Sequence, residues 1–246
     1  MKKSLILVPG LLCDETVWTQ QAAALSGFWD VRIADNGDHD SLGAMAESII
    51  ASAPPRFALA GHSMGGRVAL EVMRRVPDRI DGLALLDTGY QPLDTGEAGQ
   101  REAEGRHRMV ATARKNGMRA LGIAWVQGMV HPTRLSDREL VGAILTMIDR
   151  RTADYYAAQT RALLSRPDAA PVFAGIACPT VVLCGEQDSW SPLERHRTMA
   201  ALIPKATLSI IPDCGHMSTM ERPDLVTAAL RSWLDSIEGS SEKGAP

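Results

Sequence analysis

Four cysteines in 246 residues are too few for a disulfide framework, and no two of them form a Cys-x-x-Cys pair. The spacing of Cys13, Cys178, Cys184 and Cys214 therefore argues against both a stapled secreted scaffold and a zinc site. Runs of Lys or Arg are also missing, and the net charge is only −3. Nucleic acid and anionic membrane surfaces are accordingly not expected partners. No apolar stretch approaches the ~20 residues of a membrane span. His39, His107, His131 and His196 lack metal-ligand spacing, and no internal repeat is visible. The start, Met1-Lys2-Lys3 and then Ser4-Leu5-Ile6-Leu7-Val8, imitates a signal peptide. However, Pro9-Gly10 cuts the apolar run short and no small-residue cleavage site follows, so a cytoplasmic location is expected.

What is present is ordinary for a soluble globular chain: 45% apolar and 22% charged residues. The length fits one domain, or one domain carrying an insertion. Strand patterns fall at residues 4–8, 30–34, 56–60, 82–86, 180–184 and 207–211. Helical spacing fills residues 15–25, 42–51, 64–76, 193–202 and 223–236. Asp14 and Ser41 stand where caps for the first two are needed, and Pro77 and Pro204 close two others. Such alternation predicts an α/β fold with a doubly wound, mostly parallel sheet of about six strands.

The alternation stops over residues 90–174, which hold helical patterns at 99–115, 118–130, 137–150 and 153–164 but no good strand. This segment reads as a helical cap inserted between core segments 1–89 and 175–237. Most of its large apolar residues, among them Met109, Met118, Met147 and Tyr156, should pack the cap itself. A few should face the site beneath, with the methionines forming an adaptable wall. Residues 238–246 have no apolar anchor and are expected to be disordered.

The chemistry is concentrated in Gly61-His62-Ser63-Met64-Gly65, a Gly-x-Ser-x-Gly pattern between a strand and a helix. A serine on so sharp a turn is thrust out at the top of the sheet. Glycines at 61 and 65 are needed because a side chain there would strike the neighbouring strand or helix. Two partners follow in the order Ser…Asp…His. Asp188 comes just after the fifth strand pattern and His216 just after the sixth. Both fall at the strand ends where sites form in open α/β sheets. Ser63 is thus the candidate nucleophile and His216 the candidate base, with Asp188 orienting the imidazole. Asp87, at the end of the fourth strand pattern, is a rival for the acid. His62 is expected to turn away from the substrate, and activity should rise between about pH 6 and 8.

These segments, together with Val8-Pro9-Gly10-Leu11 after the first strand, resemble the α/β-hydrolase superfamily over roughly residues 3 to 236. Within it the chain is most similar to small capped esterases, lactonases and plant-type methylesterases. It departs from the pattern twice. Pro9-Gly10-Leu11 stands where His-Gly-x is usual, and the leading antiparallel strand pair has no counterpart. The resemblance implies a serine hydrolase acting through an acyl-enzyme, with no cofactor and no metal. The backbone N–H groups of Leu11 and Met64 would form the oxyanion hole. Leu12, Trp125, Met129, Trp190 and Met217 would line the substrate pocket. The expected partner is a small, mostly apolar ester, with lactone and thioester as close alternatives. Carbon–carbon bond hydrolysis and perhydrolysis need the same three residues, although His62 and Met217 stand where carbon–carbon hydrolases often carry Asn and Trp. A slow-turnover ligand-binding or receptor-like protein is an alternative of another class. The sequence carries no signal of oligomeric state.

Overall fold

The computed structural model describes residues 2–242. Six parallel strands form one sheet: β1 (Ser4–Val8), β2 (Asp30–Ile33), β3 (Phe57–His62), β4 (Ile80–Leu86), β5 (Thr180–Gly185) and β6 (Thr207–Ile211). Their spatial order is β2-β1-β3-β4-β5-β6, so the order reverses at β1. Among the described residues no antiparallel strand joins this sheet.

Both faces of the sheet are covered, as an all-parallel sheet requires. The pleat sends successive side chains to opposite sides. Leu5, Leu7, Ala58, Ala60, Ala84 and Leu86 enter one core, and Ile6, Val8, Phe57, Leu59, Leu83 and Leu85 enter the other. Helices α1 (Thr19–Leu25) and α11 (Pro223–Glu242) close the first core through Leu25, Val226, Leu230 and Trp233. Helices α2 (Leu42–Ser52), α3 (Met64–Arg75) and α9 (Leu193–Leu202) close the second through Met45, Ile49, Val68, Val72 and Met199. The expected caps are made: Asp14 accepts from Thr16 N and Ser41 from Ala44 N.

Between β4 and β5 run α4 (Glu97–Asn116), α5 (Met118–Met129), α6 (Arg138–Asp149), α7 (Ala153–Leu164) and the short α8 (Ala170–Phe173). Their buried residues Met118, Leu121, Ile144, Met147 and Ile148 join the first core, beside Trp18 and Leu12. The helical segment is therefore packed onto the sheet domain. A short α10 (Ser218–Glu221) precedes α11.

Several boundaries depart from the sequence expectation; β4 and α4, for example, each begin two residues early, at Ile80 and Glu97. Residues 15–25 divide into a 3-10 turn, Glu15–Trp18, followed by α1. Strand β3 continues two residues beyond Ala60, because Gly61 and His62 keep their register with Leu85 and Leu86. The segment from 238, expected to be unstructured, is helical to Glu242, while residues 243–246 lie outside the described residues. Trp233, Leu234 and Ile237 anchor α11 in the core, and extending an anchored helix adds one hydrogen bond per residue.

Candidate active site

Strand β3 delivers Ser63 into the turn before α3 with φ 55° and ψ −119°, a region that side chains rarely adopt. The turn is held open only by glycine. A Cβ on Gly61 would lie 2.3 Å from Gly65 O, and one on Gly65 would lie 2.2 Å from Val8 O. Gly65→Ala should therefore cost about 3 kcal/mol or more through overpacking against rigid backbone. A urea melt checks this, and a midpoint equal to the wild type would refute the steric account.

Ser63 Oγ is 2.8 Å from His216 Nε2, and His216 Nδ1 is 2.8 Å from Asp188 Oδ2. The other Asp188 oxygen accepts from the N–H groups of Trp190 and Ser191. Asp188 and His216 are buried. Burial alone raises the Asp188 carboxyl, but the His216 charge, its hydrogen bond and the two N–H donors bring it below its ordinary value. Burial lowers the His216 imidazole, and the Asp188 charge and hydrogen bond more than reverse this. The serine proton thus has an acceptor that is orientated and raised in basicity. This arrangement can deprotonate a hydroxyl and return the proton to a leaving group.

The rival acid does not reach the imidazole. Asp87 is fully buried, accepts from Gly185 N at 2.9 Å and meets the Ser218 hydroxyl. Burial and the nearby Asp188 charge hold its carboxyl well above the usual range. Asp87, Cys184 and Asp188 bring ligand-type atoms within 4.8 Å of one another. Both acids already spend their oxygens on the bonds just described, and burial raises the Cys184 thiol. His62 donates from Nε2 to the His216 carbonyl at 2.9 Å, and its ring centroid is 5.4 Å from that of His216. Burial, then the His216 charge, push His62 down to about 3, so it positions the loop as a neutral ring.

Met64 opens α3, and Leu11 follows β1 at the cavity wall. Among the described residues no acceptor takes the backbone N–H of either. The first N–H groups of a helix have no internal partner, so Met64 offers a donor with the helix dipole behind it. A cavity of about 760 Å³ opens over Ser63 and His216. Trp125, Met129, Trp190 and Met217 line it, with Met109 and Tyr156. The Trp190 ring lies 5.1 Å from His216 and 5.4 Å from Trp125. Leu12 does not belong to this wall. Its φ of 60° turns its side chain into the core, where it is fully buried, and its N–H bonds to Gln159 Oε1 at 2.9 Å. Cys13 does reach the cavity, but burial and the Asp14 charge push its thiol up to about 12.

Several supporting residues carried no readable signal. Gln159 on α7 ties Leu12 to Gly37, and buried Asn36 donates to Pro9 O, fixing the loop that carries Leu11. Glu221 accepts from the N–H groups of Gly215, Met217 and His131, so it clamps both sides of His216. His216 N donates to Met129 O at the end of α5, and Gly215 leaves space for that approach. Glu221→Ala should cost about 3 kcal/mol, since three donors, two of them buried, lose one acceptor. Denaturant unfolding tests it, and a change under about 1 kcal/mol would show that water replaces the carboxylate. Also unforeseen is a row of arginines on the cavity wall: Arg67, Arg101, Arg106, Arg166 and Arg195.

Among solved structures, a malate-bound thermophilic esterase from Thermogutta terrifontis superposes with a TM-score of 0.86 at 28% identity, covering 96% of this chain and 91% of that one. A 2-succinyl-6-hydroxy-2,4-cyclohexadiene-1-carboxylate synthase of Escherichia coli O1:K1 / APEC is 28% identical over 211 residues, 82% of this chain and 77% of that protein. A Haemophilus influenzae protein, provisionally named esterase/lipase, is 24% identical over 203 residues, 78% of this chain; the match spans 66% of that relative. Residues 5–229 match the family model described as "Alpha/beta hydrolase family", and the chain belongs to that family.

Proposed function

We propose that this protein is a serine hydrolase that cleaves a small carboxylic ester, or a lactone or thioester, through an acyl-enzyme. The observation that carries this is the unbroken pair of 2.8 Å contacts from Ser63 through His216 to Asp188 beneath an open cavity. Ser63 attacks the carbonyl while His216 takes its proton. The oxyanion is received by the N–H groups of Met64 and Leu11, donors with no acceptor among the described residues. His216 then gives the proton to the departing alcohol or thiol. Water, deprotonated by the same ring, releases the acid, so the cycle closes without a further reactant.

Helices α4, α5 and α7 act as a cap whose Trp125, Met129 and Tyr156 shape the substrate side of the cavity. Asp188 is the acid that orients the imidazole, and Asp87 braces the strand ends through Gly185 N and the Ser218 hydroxyl. The reading agrees with the esterase named among similar structures. The synthase among the relatives makes a panel of ester, lactone and thioester substrates the proper screen. No helix among the described residues is long and apolar enough to cross a membrane, which suits a small-molecule substrate met in water.

The test is hydrolysis of p-nitrophenyl acetate and butyrate together with fluorophosphonate labelling read by intact mass. Sustained turnover with one adduct at Ser63 is expected. Absence of both would sink the hydrolase reading, and labelling with a single turnover would favour a binding role.

A further inference from the structure

The cavity over Ser63 has two chemically different walls. Trp125, Met129, Tyr156 and Met217 make one of them apolar. The other is cationic, with Arg67 from α3, Arg106 from α4, Arg166 beyond α7 and Arg195 from α9. Glu102 is the carboxylate that answers them. It accepts from both Nη groups of Arg166 at 2.8 Å and from Arg106 Nε at 2.9 Å. Arg101 is paired with Glu97, and Asp94 spends an oxygen on Gly96 N.

That leaves Arg67 and Arg195. Among the described residues neither forms an ion pair with a carboxylate, and Arg67 donates only to the carbonyl of Gln91 at 2.9 Å. Both guanidinium groups press on Gly89: a Cβ there would meet Arg67 Nη2 at 2.7 Å and Arg195 Nη1 at 3.2 Å. Two half-buried cations converging on one point, with no anion between them, are costly. Burial, and next the charges of Arg166, Arg195 and Arg106, push Arg67 down to about 9. A guanidinium fork is shaped to grip carboxylate or phosphate oxygens in two places. The neighbouring residue Thr88 donates its hydroxyl to the Ser63 carbonyl at 2.6 Å, so the cationic pair stands next to the nucleophile turn.

We propose that the substrate carries an anionic oxygen group, a carboxylate or a phosphate, that docks between Arg67 and Arg195 while its ester carbonyl lies at Ser63. The proposal rests on the hydrolase reading above and replaces its mostly apolar substrate with one of mixed character. The apolar wall holds the hydrocarbon portion, and the arginine pair selects for the charge a short distance away. Arg67 and Arg195 are positioning residues for the substrate and have no part in the proton transfers.

The experiment compares mono-p-nitrophenyl succinate with its methyl ester, two substrates that differ in one charge. The wild type should favour the charged ester by about 10-fold or more in kcat/KM, chiefly through KM. Sodium chloride at about 0.5 M should shrink that preference. Arg67→Gln and Arg195→Gln, on separate helices, should each lower the charged-to-neutral ratio by about 10-fold. Succinate and inorganic phosphate, tested as competitors of p-nitrophenyl acetate, identify which anion fits; competition by neither would overturn the proposal. An equal ratio in all three proteins, with Ser63 still labelled and the methyl ester still cleaved, would overturn the anion site and leave the hydrolase intact. If neither ester is cleaved and Ser63 is not labelled, the hydrolase reading fails on its own. The anion site is then judged by quenching of the cavity tryptophans on adding succinate or phosphate, which Arg67→Gln must abolish.

Discussion

Ser63→Ala is expected to lower kcat on p-nitrophenyl butyrate by on the order of 10⁴-fold or more, the scale at which a nucleophile of this type acts. The variant should still fold, because Ser63 makes no side-chain cap bond in α3 and its hydroxyl bonds to His216 alone. What remains after the substitution is polarisation by the N–H groups of Met64 and Leu11, acting on a carbonyl that only water can attack. The fluorophosphonate adduct must vanish with the turnover. A variant with a wild-type melt and a tenth of the activity would show that Ser63 is not the nucleophile.

Asp188→Asn should cost about 10⁴-fold in kcat, because an amide presents the imidazole with the wrong tautomer and no counter-charge. Its diagnostic effect is on the pH profile. In the wild type the Asp188 charge leaves His216 above the ordinary histidine value. In the proposed mechanism the neutral imidazole is the active base, so kcat/KM should rise with pH through a limb lying above about 6.5. Without the Asp188 charge, burial again dominates and the limb should move to lower pH. Asp87→Asn is the control. Asp87 bonds to Gly185 N and Ser218 and not to the imidazole, so its amide should move the limb much less than Asp188→Asn does. A profile that shifts with Asp87 and ignores Asp188 would transfer the acid role to Asp87.

The legible parts of the site share one property: each is fixed by a local rule. Gly61 and Gly65 are demanded by a turn only a few residues long, which can be read without knowing what surrounds it. Asp188 and His216 follow apolar runs that could only be strand ends, and parallel strands bring all such ends to one edge. The alternation of helix and strand patterns was legible for the same reason, since each period depends on neighbours within a few positions. Strand β3 ran past its expected end because its last two pairings are with β4, about 24 residues away, and no local period records them.

The sequence by itself determined the sheet, the Ser63 turn and the chain order of Asp188 and His216 after it, because hydrophobic period and glycine sterics act over short distances along the chain. Only the tertiary structure decided which acid faces His216, since Asp87 and Asp188 both end strands and differ in the side to which their carboxylates turn. It also turned Leu12 inward, through a hydrogen bond to Gln159, 147 residues along the chain. Most of all it decided the charge of the cavity. Arg67, Arg106, Arg166 and Arg195 are scattered singly along the sequence, each an ordinary surface residue by composition. They become one cationic wall only because α3, α4, α9 and the end of α7 converge over the serine, and a charge has no periodicity that would announce such a meeting.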